Sequence, residues 1–353
     1  MSIRQQLATF LVVVCALAGC GETTTWVETD RTWTWDGTAF QLEHPQNHPK
    51  AREGAAATYD ALHRYVLLFG GRRCQQGSIF PIGPCTDLMD TWSWDGKNWH
   101  SYSPQHRPDT SYGQMVYDAG LQLPVFLTPT GVGWKWEQDD WKPAWSSIDS
   151  EAEAIPYSSP RLLGFHRAMG YDEGRHLLTV LSTTHVTELS SPQIKASLSF
   201  VTSGWDGSTW RRLAIAKGDN TDLADDPGGP DYEFGPLAYD RDRGRLVAMG
   251  SHRLWMWDGR AWVGQPVGSG LVSVQEPASD GGRLVYDPVG HRLLWFESSL
   301  DGKHYHGTRL IYAWARDGWT KLATLDAPMD DFPTIAFDEA RGRVLLFGGQ
   351  TDS

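Results

Sequence analysis

Residues 56–71 read Ala-Ala-Thr-Tyr-Asp-Ala-Leu-His-Arg-Tyr-Val-Leu-Leu-Phe-Gly-Gly, and residues 92–99 read Trp-Ser-Trp-Asp-Gly-Lys-Asn-Trp. The first stretch holds a short strand ending in Tyr59-Asp60, a turn carrying His63 and Arg64, and an apolar strand, Val66 to Phe69. The second holds a strand of alternating tryptophans, an Asp-Gly turn, and Trp99 opening a fourth strand. Period-two alternation marks a half-buried strand, and a short apolar run between turn residues marks a buried one. Asp-Gly suits a type I′ hairpin turn, because glycine accepts positive φ without steric cost. Together the two stretches describe one four-stranded antiparallel unit.

The unit recurs along the chain. Six aromatic-aspartate pairs follow one another: Tyr59-Asp60, Tyr117-Asp118, Tyr171-Asp172, Tyr239-Asp240, Tyr286-Asp287 and Phe337-Asp338. Their scatter about a period of roughly 50 residues suits propeller blades and is too long for ankyrin or tetratricopeptide units. Five of the six turns carry a basic residue: His63-Arg64, Arg175-His176, Arg243, His291-Arg292 and Arg341. The second turn has none. Fifteen of the 18 tryptophans occupy third- or fourth-strand positions, where packing of blade on blade is their expected role. Only Trp26, Trp145 and Trp295 lie elsewhere. The last unit stops after its second strand, while Thr32 to Trp35 and Phe40 to Leu42 make an orphan third and fourth strand. Joining them gives an all-β, six-bladed propeller with one blade split between the termini, which removes the open sheet edges.

This pattern resembles bacterial kelch repeats and the propeller of galactose oxidase, over residues 31–353. The diglycine of the kelch repeat survives as Gly70-Gly71 and Gly348-Gly349 and is lost in the four middle units, so the resemblance is to a degenerate member.

The segment before the repeats carries different information. Arg4 precedes an apolar run, Leu7 to Ala18, too short to cross a bilayer and of signal-peptide length. It ends in Leu17-Ala18-Gly19-Cys20, which resembles the bacterial lipobox, whose cysteine is acylated and becomes the first residue. The resemblance implies a signal peptide over 1–19, lipid on Cys20, a tether over 20–30 and the propeller over 31–353. Gly21 is not the aspartate that retains many lipoproteins at the inner membrane, so the outer membrane is implied where the host has one. Cys74 and Cys85 remain for an oxidising compartment, and a disulfide between them is expected.

Composition narrows the partners. The formal net charge is −12, and no basic footprint for nucleic acid is present. Asp219 to Asp226 lacks the ligand spacing of a calcium loop and reads as an inter-blade loop. His304-Tyr305-His306 offers only two imidazoles from one loop, so no metal or other cofactor is assigned. In a four-stranded meander, the second-to-third connections share one face. They are longest in units one, three and five, where they carry Arg72 and Arg73 with the cysteine pair, then His185, then His304 and His306. Loops on a rigid scaffold are the usual seat of binding, and these five residues are the candidate binding residues.

The expected function is that of a monomeric, non-enzymatic binding or scaffold module for a protein or glycan ligand. The alternative is a sugar-active kelch enzyme resembling sialic-acid mutarotase, with Arg72, Arg73 and the histidines lining a funnel for an acidic sugar. A copper radical oxidase is disfavoured, since it needs a Tyr–Cys crosslink and the cysteines are better explained by each other.

The split blade is open to direct test. Deleting residues 31–44 removes Trp33, Trp35 and Phe40, and each buried aromatic is worth roughly 3–5 kcal/mol when truncated. The expected result is insolubility or a large fall in melting temperature; a variant melting like the parent excludes the split-blade architecture.

Overall fold

The computed structural model describes residues 26–74, 85–148, 167–188, 195–218, 237–249, 253–266, 283–298, 309–315, 318–325 and 333–352. Regular structure among them consists of strands alone, 24 of them in six four-stranded antiparallel sheets. Blade 1 comprises Ala56–Asp60, Tyr65–Phe69, Thr91–Trp94 and Trp99–Tyr102. Blade 6 comprises Thr334–Asp338 and Arg343–Phe347 from the C-terminus with Thr32–Trp35 and Phe40–Glu43 from the N-terminus, in that order. The first strand of each blade packs against the first strand of the next, and that of blade 6 against that of blade 1. The ring is therefore a closed six-bladed propeller with the first strands innermost.

Each blade is held at its inner end by a carboxylate. Asp60, Asp118, Asp172, Asp240, Asp287 and Asp338 are all buried. Asp60 Oδ1 accepts the N–H groups of Leu62 and His63 at 3.0 Å each, and its Oδ2 meets His63 Nδ1 at 2.8 Å. The arginine three residues on does the same for Asp172, Asp240 and Asp338 (Arg175, Arg243 and Arg341), while Asp287 pairs with Arg292, five residues on. Asp118 is the exception: it accepts the N–H groups of Gly120 and Leu121, but its turn supplies no cation. Burial pushes its carboxyl above the ordinary aspartate value.

Between blades, indoles act as pins. Trp99, Trp141 and Trp262 each donate Nε1–H to a buried threonine of the preceding blade, Thr32, Thr91 and Thr202, at 2.9–3.0 Å. Within a blade the third- and fourth-strand tryptophans face each other across the outer turn, as in Trp94–Trp99 at 5.4 Å and Trp136–Trp141 at 5.2 Å between centroids. The diglycines Gly70-Gly71 and Gly348-Gly349 let backbones meet. Gly71 N–H donates to Ser111 O and Gly349 N–H to Arg52 O. A Cβ at Gly70 would stand 2.2 Å from the Ser111 oxygen, and its φ is +78°.

Two expectations need correction. The Asp-Gly turns are not two-residue type I′ turns. Trp35 pairs with Phe40, so four residues connect the strands, and only Gly37 of the dipeptide has positive φ. Asp36 Oδ1 caps the loop by accepting the N–H groups of Ala39 and Thr38, which holds its carboxyl down at about 2. Pairing also begins before residue 31. Trp26–Glu28 forms a strand against Gln350–Asp352, and Glu28 Oε1 accepts the Cys74 N–H at 2.7 Å. Carboxylate and amide thus draw part of the segment assigned to the tether into the ring closure.

The exceptional turn makes a prediction. Because the native Asp118 holds its proton more tightly than the unfolded chain does, its ionisation opposes folding, and its contribution improves as pH falls through the raised native value. Asp118→Asn keeps an acceptor for both amides and removes the uncompensated charge, so it should melt at or above the parent at pH 7. Asp172→Asn breaks the pair with Arg175 and should cost about 1–3 kcal/mol. Thermal melts of the two variants check this; a D118N variant as damaged as D172N overturns it.

Candidate functional site

The short-turn face is closed. The residue after each inner aspartate stands at the rim of the axial channel: Ala61, Ala119, Glu173, Arg241, Pro288 and Glu339. Arg241 of blade 4 donates from Nε to Glu173 of blade 3 at 2.8 Å and from Nη2 to Glu339 of blade 6 at 2.9 Å. Blades 3 and 6 lie on opposite sides of a six-membered ring, so this triad spans the channel mouth. Although burial opposes its charge, the hydrogen bonds it donates to Glu339 and Glu173 raise the guanidinium further above its ordinary range. Beside it, Asp242 accepts from the Tyr286 hydroxyl at 3.0 Å and meets His291 Nδ1 at 3.1 Å. Neither partner of Arg241 was accessible to sequence reasoning, because the rim position changes residue type in almost every unit.

The opposite face carries the arms. In blade 1 the second-to-third connection forms a small hairpin, Arg72–Cys74 against Cys85–Asp87, closed by the Cys74–Cys85 disulfide. In blade 3 the second and third strands run on as Leu177–Glu188 and Lys195–Trp205, paired as far as Glu188 with Lys195. The fourth strand follows them to Gly218, paired with Leu198. This insertion is a three-stranded arm rising about 20 Å above its blade, at 3.3 Å per residue for six residues.

The candidate residues fall into three groups. Arg72 is engaged: its Nε meets Glu53 Oε1 at 2.6 Å and its guanidinium carbon lies 5.4 Å from the Tyr112 ring centroid, with only 18% of the side chain exposed. It braces the hairpin against the entries to blades 1 and 2. Arg73 is exposed on the same hairpin, opposite Thr86. His185 lies on the blade 3 arm, paired with Leu198. Cys20, His304 and His306 lie outside the described residues.

Sequence reasoning missed Arg52, whose side chain is 1% exposed. It donates to both oxygens of Asp90 at 2.6 and 2.9 Å, to Gly70 O at 2.9 Å and to Lys50 O at 2.9 Å. Hydrogen bonding to Arg52 holds the Asp90 carboxyl below its ordinary value against the effect of burial. A lone arginine upstream of the diglycine carried no repeat signal, and its role emerged only once Gly70 and Asp90 were seen to converge on it.

No family model matches the sequence, and no curated protein matches it. Among solved structures, the chain is similar to BamB from Moraxella catarrhalis (9% identity, 92% of this chain and 90% of that one, TM-score 0.38). It is also similar to a structural genomics protein of unknown function from Bacteroides thetaiotaomicron VPI-5482 (9% identity, 90% and 78%, TM-score 0.37). A third is a GH43_12 protein retrieved from a capybara gut metagenome (8% identity, 87% and 61%, TM-score 0.39).

The rim triad is testable by salt. Its members are about 40% exposed, so screening limits its worth. Arg241→Ala should cost up to about 1 kcal/mol at low ionic strength, and the difference should fade near ~1 M salt. Melting curves at both salt concentrations decide; a salt-independent loss means that Arg241 acts through packing.

Proposed function

We propose that the chain is a lipid-anchored envelope propeller of degenerate kelch type, acting as a binding or scaffold module through its arm-bearing face. One observation carries this: two built arms, a disulfide-closed hairpin and a three-stranded extension, rise from one face of a rigid ring. The other face consists of short turns tied to buried carboxylates and closed at the axis by Arg241. A surface elaborated on one side only is the side where selection has spent structure on recognition.

The anchor supports a particular orientation. Trp26–Glu28 sits at the arm face, beside Cys74. Cys20 precedes Trp26 by six residues, a reach of at most roughly 20 Å at 3.3–3.6 Å per residue. Lipid on Cys20 would therefore hold the arm face toward the bilayer, in the outer membrane where the host has one. The partner is then a protein or glycan at the membrane surface, met by a monomeric propeller without a cofactor of its own. The sugar-active reading draws on Arg72 as a ligand-binding cation, and the engagement of Arg72 by Glu53 and Tyr112 weighs against it.

A photocrosslinking residue placed at Arg73 in the anchored protein should give adducts in intact cells, while one at Lys97 on the short-turn face should not. Cys20→Ser should move the protein out of the membrane fraction and reduce the Arg73 adducts. Equal adducts from both faces overturn the choice of surface; a firmly anchored C20S variant overturns the lipid anchor.

A further inference from the structure

By register, the position of Tyr65 in blade 1 is held by Leu123, Leu177, Arg245, Arg292 and Arg343 in blades 2 to 6, so what fills the outer slot differs from seam to seam. At the seam of blades 1 and 2, Tyr65 and Tyr102 fill the outer slot in front of Trp136. The Trp136 Nε1–H donates to the Tyr65 hydroxyl, the Tyr102 ring lies 5.2 Å from the indole, and Ser93 and Tyr102 are joined at 3.1 Å. Register identifies the same positions at the seam of blades 6 and 1. Tyr65 pairs with Asp60 as Arg343 pairs with Asp338, and Tyr102 lies opposite Thr91 as Glu43 lies opposite Thr32. Trp94 takes the place of Trp136, and Thr34 that of Ser93, donating to Glu43 Oε1 at 2.7 Å. Two phenol rings are thus replaced by a guanidinium and a carboxylate, and a cleft of about 380 Å³ opens there, with Trp94, Leu345, Thr34, Glu43, Arg343 and the Arg341-bound Asp338 in its walls.

At the seam of blades 5 and 6, Arg292 occupies the Arg343 position, but it serves the inner carboxylate Asp287 at 2.9 Å and covers the Trp35 ring at 5.6 Å. In blade 6 that duty falls to Arg341, which holds Asp338 with two hydrogen bonds and forms the end of the cleft. Arg343 makes neither contact; its charge helps to lower the carboxyl of Asp36 in the outer turn of its own blade. Among the described residues neither Arg343 nor Glu43 has an ion-pair partner, and both line the same cleft. Arg343 has only donors, so it cannot replace the Tyr65 hydroxyl as an acceptor for the indole.

We propose that this cleft binds a small zwitterion of the α-amino acid class, with its carboxylate on Arg343, its ammonium on Glu43 and its side chain against Trp94 and Leu345. An anion would be drawn by Arg343 and repelled by Glu43, and a cation the reverse. A dipolar ligand satisfies both, and its apolar part finds an aromatic and an aliphatic wall. The site is separate from the arm-bearing face and does not depend on the lipid anchor.

The test is calorimetry on the full-length protein in detergent, titrated with a panel of L- and D-α-amino acids and, in parallel, neutral monosaccharides. At least one amino acid should bind, with a Kd in the range of about 10 μM to 1 mM. Arg343→Gln and Glu43→Gln should each weaken it by about tenfold or more, the size of one lost charge-assisted hydrogen bond. The double variant Arg343→Tyr with Glu43→Tyr copies the seam of blades 1 and 2. It should lose binding while melting no lower than the parent. Three results overturn the proposal: no amino acid binding up to about 10 mM, unchanged binding by the single variants, or binding of neutral sugars alone.

Discussion

The structure depends on burying a carboxylate at the inner end of every blade. An ionised group placed there without partners would neutralise or unfold the turn, since desolvation costs far more than one hydrogen bond returns. Each aspartate is therefore surrounded. Asp60, for instance, takes two turn amides on one oxygen and the His63 imidazole on the other. This fixes the first turn of the blade, and the fixed turn positions everything that touches a neighbour. Arg175 and Arg341, held by Asp172 and Asp338, extend over Gly259 and Gly96 in the outer turns of the following blades. The aromatic before each aspartate leans the other way, as Tyr286 does in reaching Asp242 of blade 4. One buried carboxylate per blade thus organises contacts in both directions around the ring.

That economy explains what the sequence made legible. Six aromatic-aspartate pairs, five of them with a basic residue close behind, are the trace of one interaction repeated six times, and counting them gave the blade number. The tryptophans before and after each outer turn were legible for the same reason. Both sets are dictated by contacts that every blade must make with its own strands or its neighbour, so they recur.

What occurs once left no such trace. Arg52 and Arg241 are each singular: one converges with Asp90 and Gly70 where the chain ends meet, the other bridges blades that only ring closure brings opposite each other. Arg72 looked like a free cation on a loop because Glu53 and Tyr112 precede and follow it at unrelated spacings. The Asp-Gly dipeptide was read as a turn correctly but given the wrong length, because the aspartate caps through its side chain and lets the loop run to four residues. Local chemistry identified the residue, while the register that decided the loop length came from the paired tryptophans.

The split blade shows why a seam can be given to another use. Its inner end is secured by Asp338 and Arg341. Its arm-side end is secured by the backbone bonds of Gly348 to Arg31 and of Gly349 to Arg52, and by Trp26–Glu28 pairing with Gln350–Asp352. Deep in the seam, Phe347 packs against Trp99 at 4.9 Å, and the Trp99 indole is pinned to Thr32. With both ends and the interior fixed, the outer slot contributes least to closure. A pair of tyrosines there would add packing, as in blade 1, yet the chain carries an arginine and a glutamate instead. Unpaired charges in a partly enclosed cleft lose hydration without compensation from each other, so they weaken the seam unless something else occupies it. An arginine stands at the Tyr65 position in blades 4, 5 and 6, but in blade 6 it shares a cleft with a glutamate, and chemically specific groups gathered in a partly enclosed space are where a function beyond the fold is to be sought.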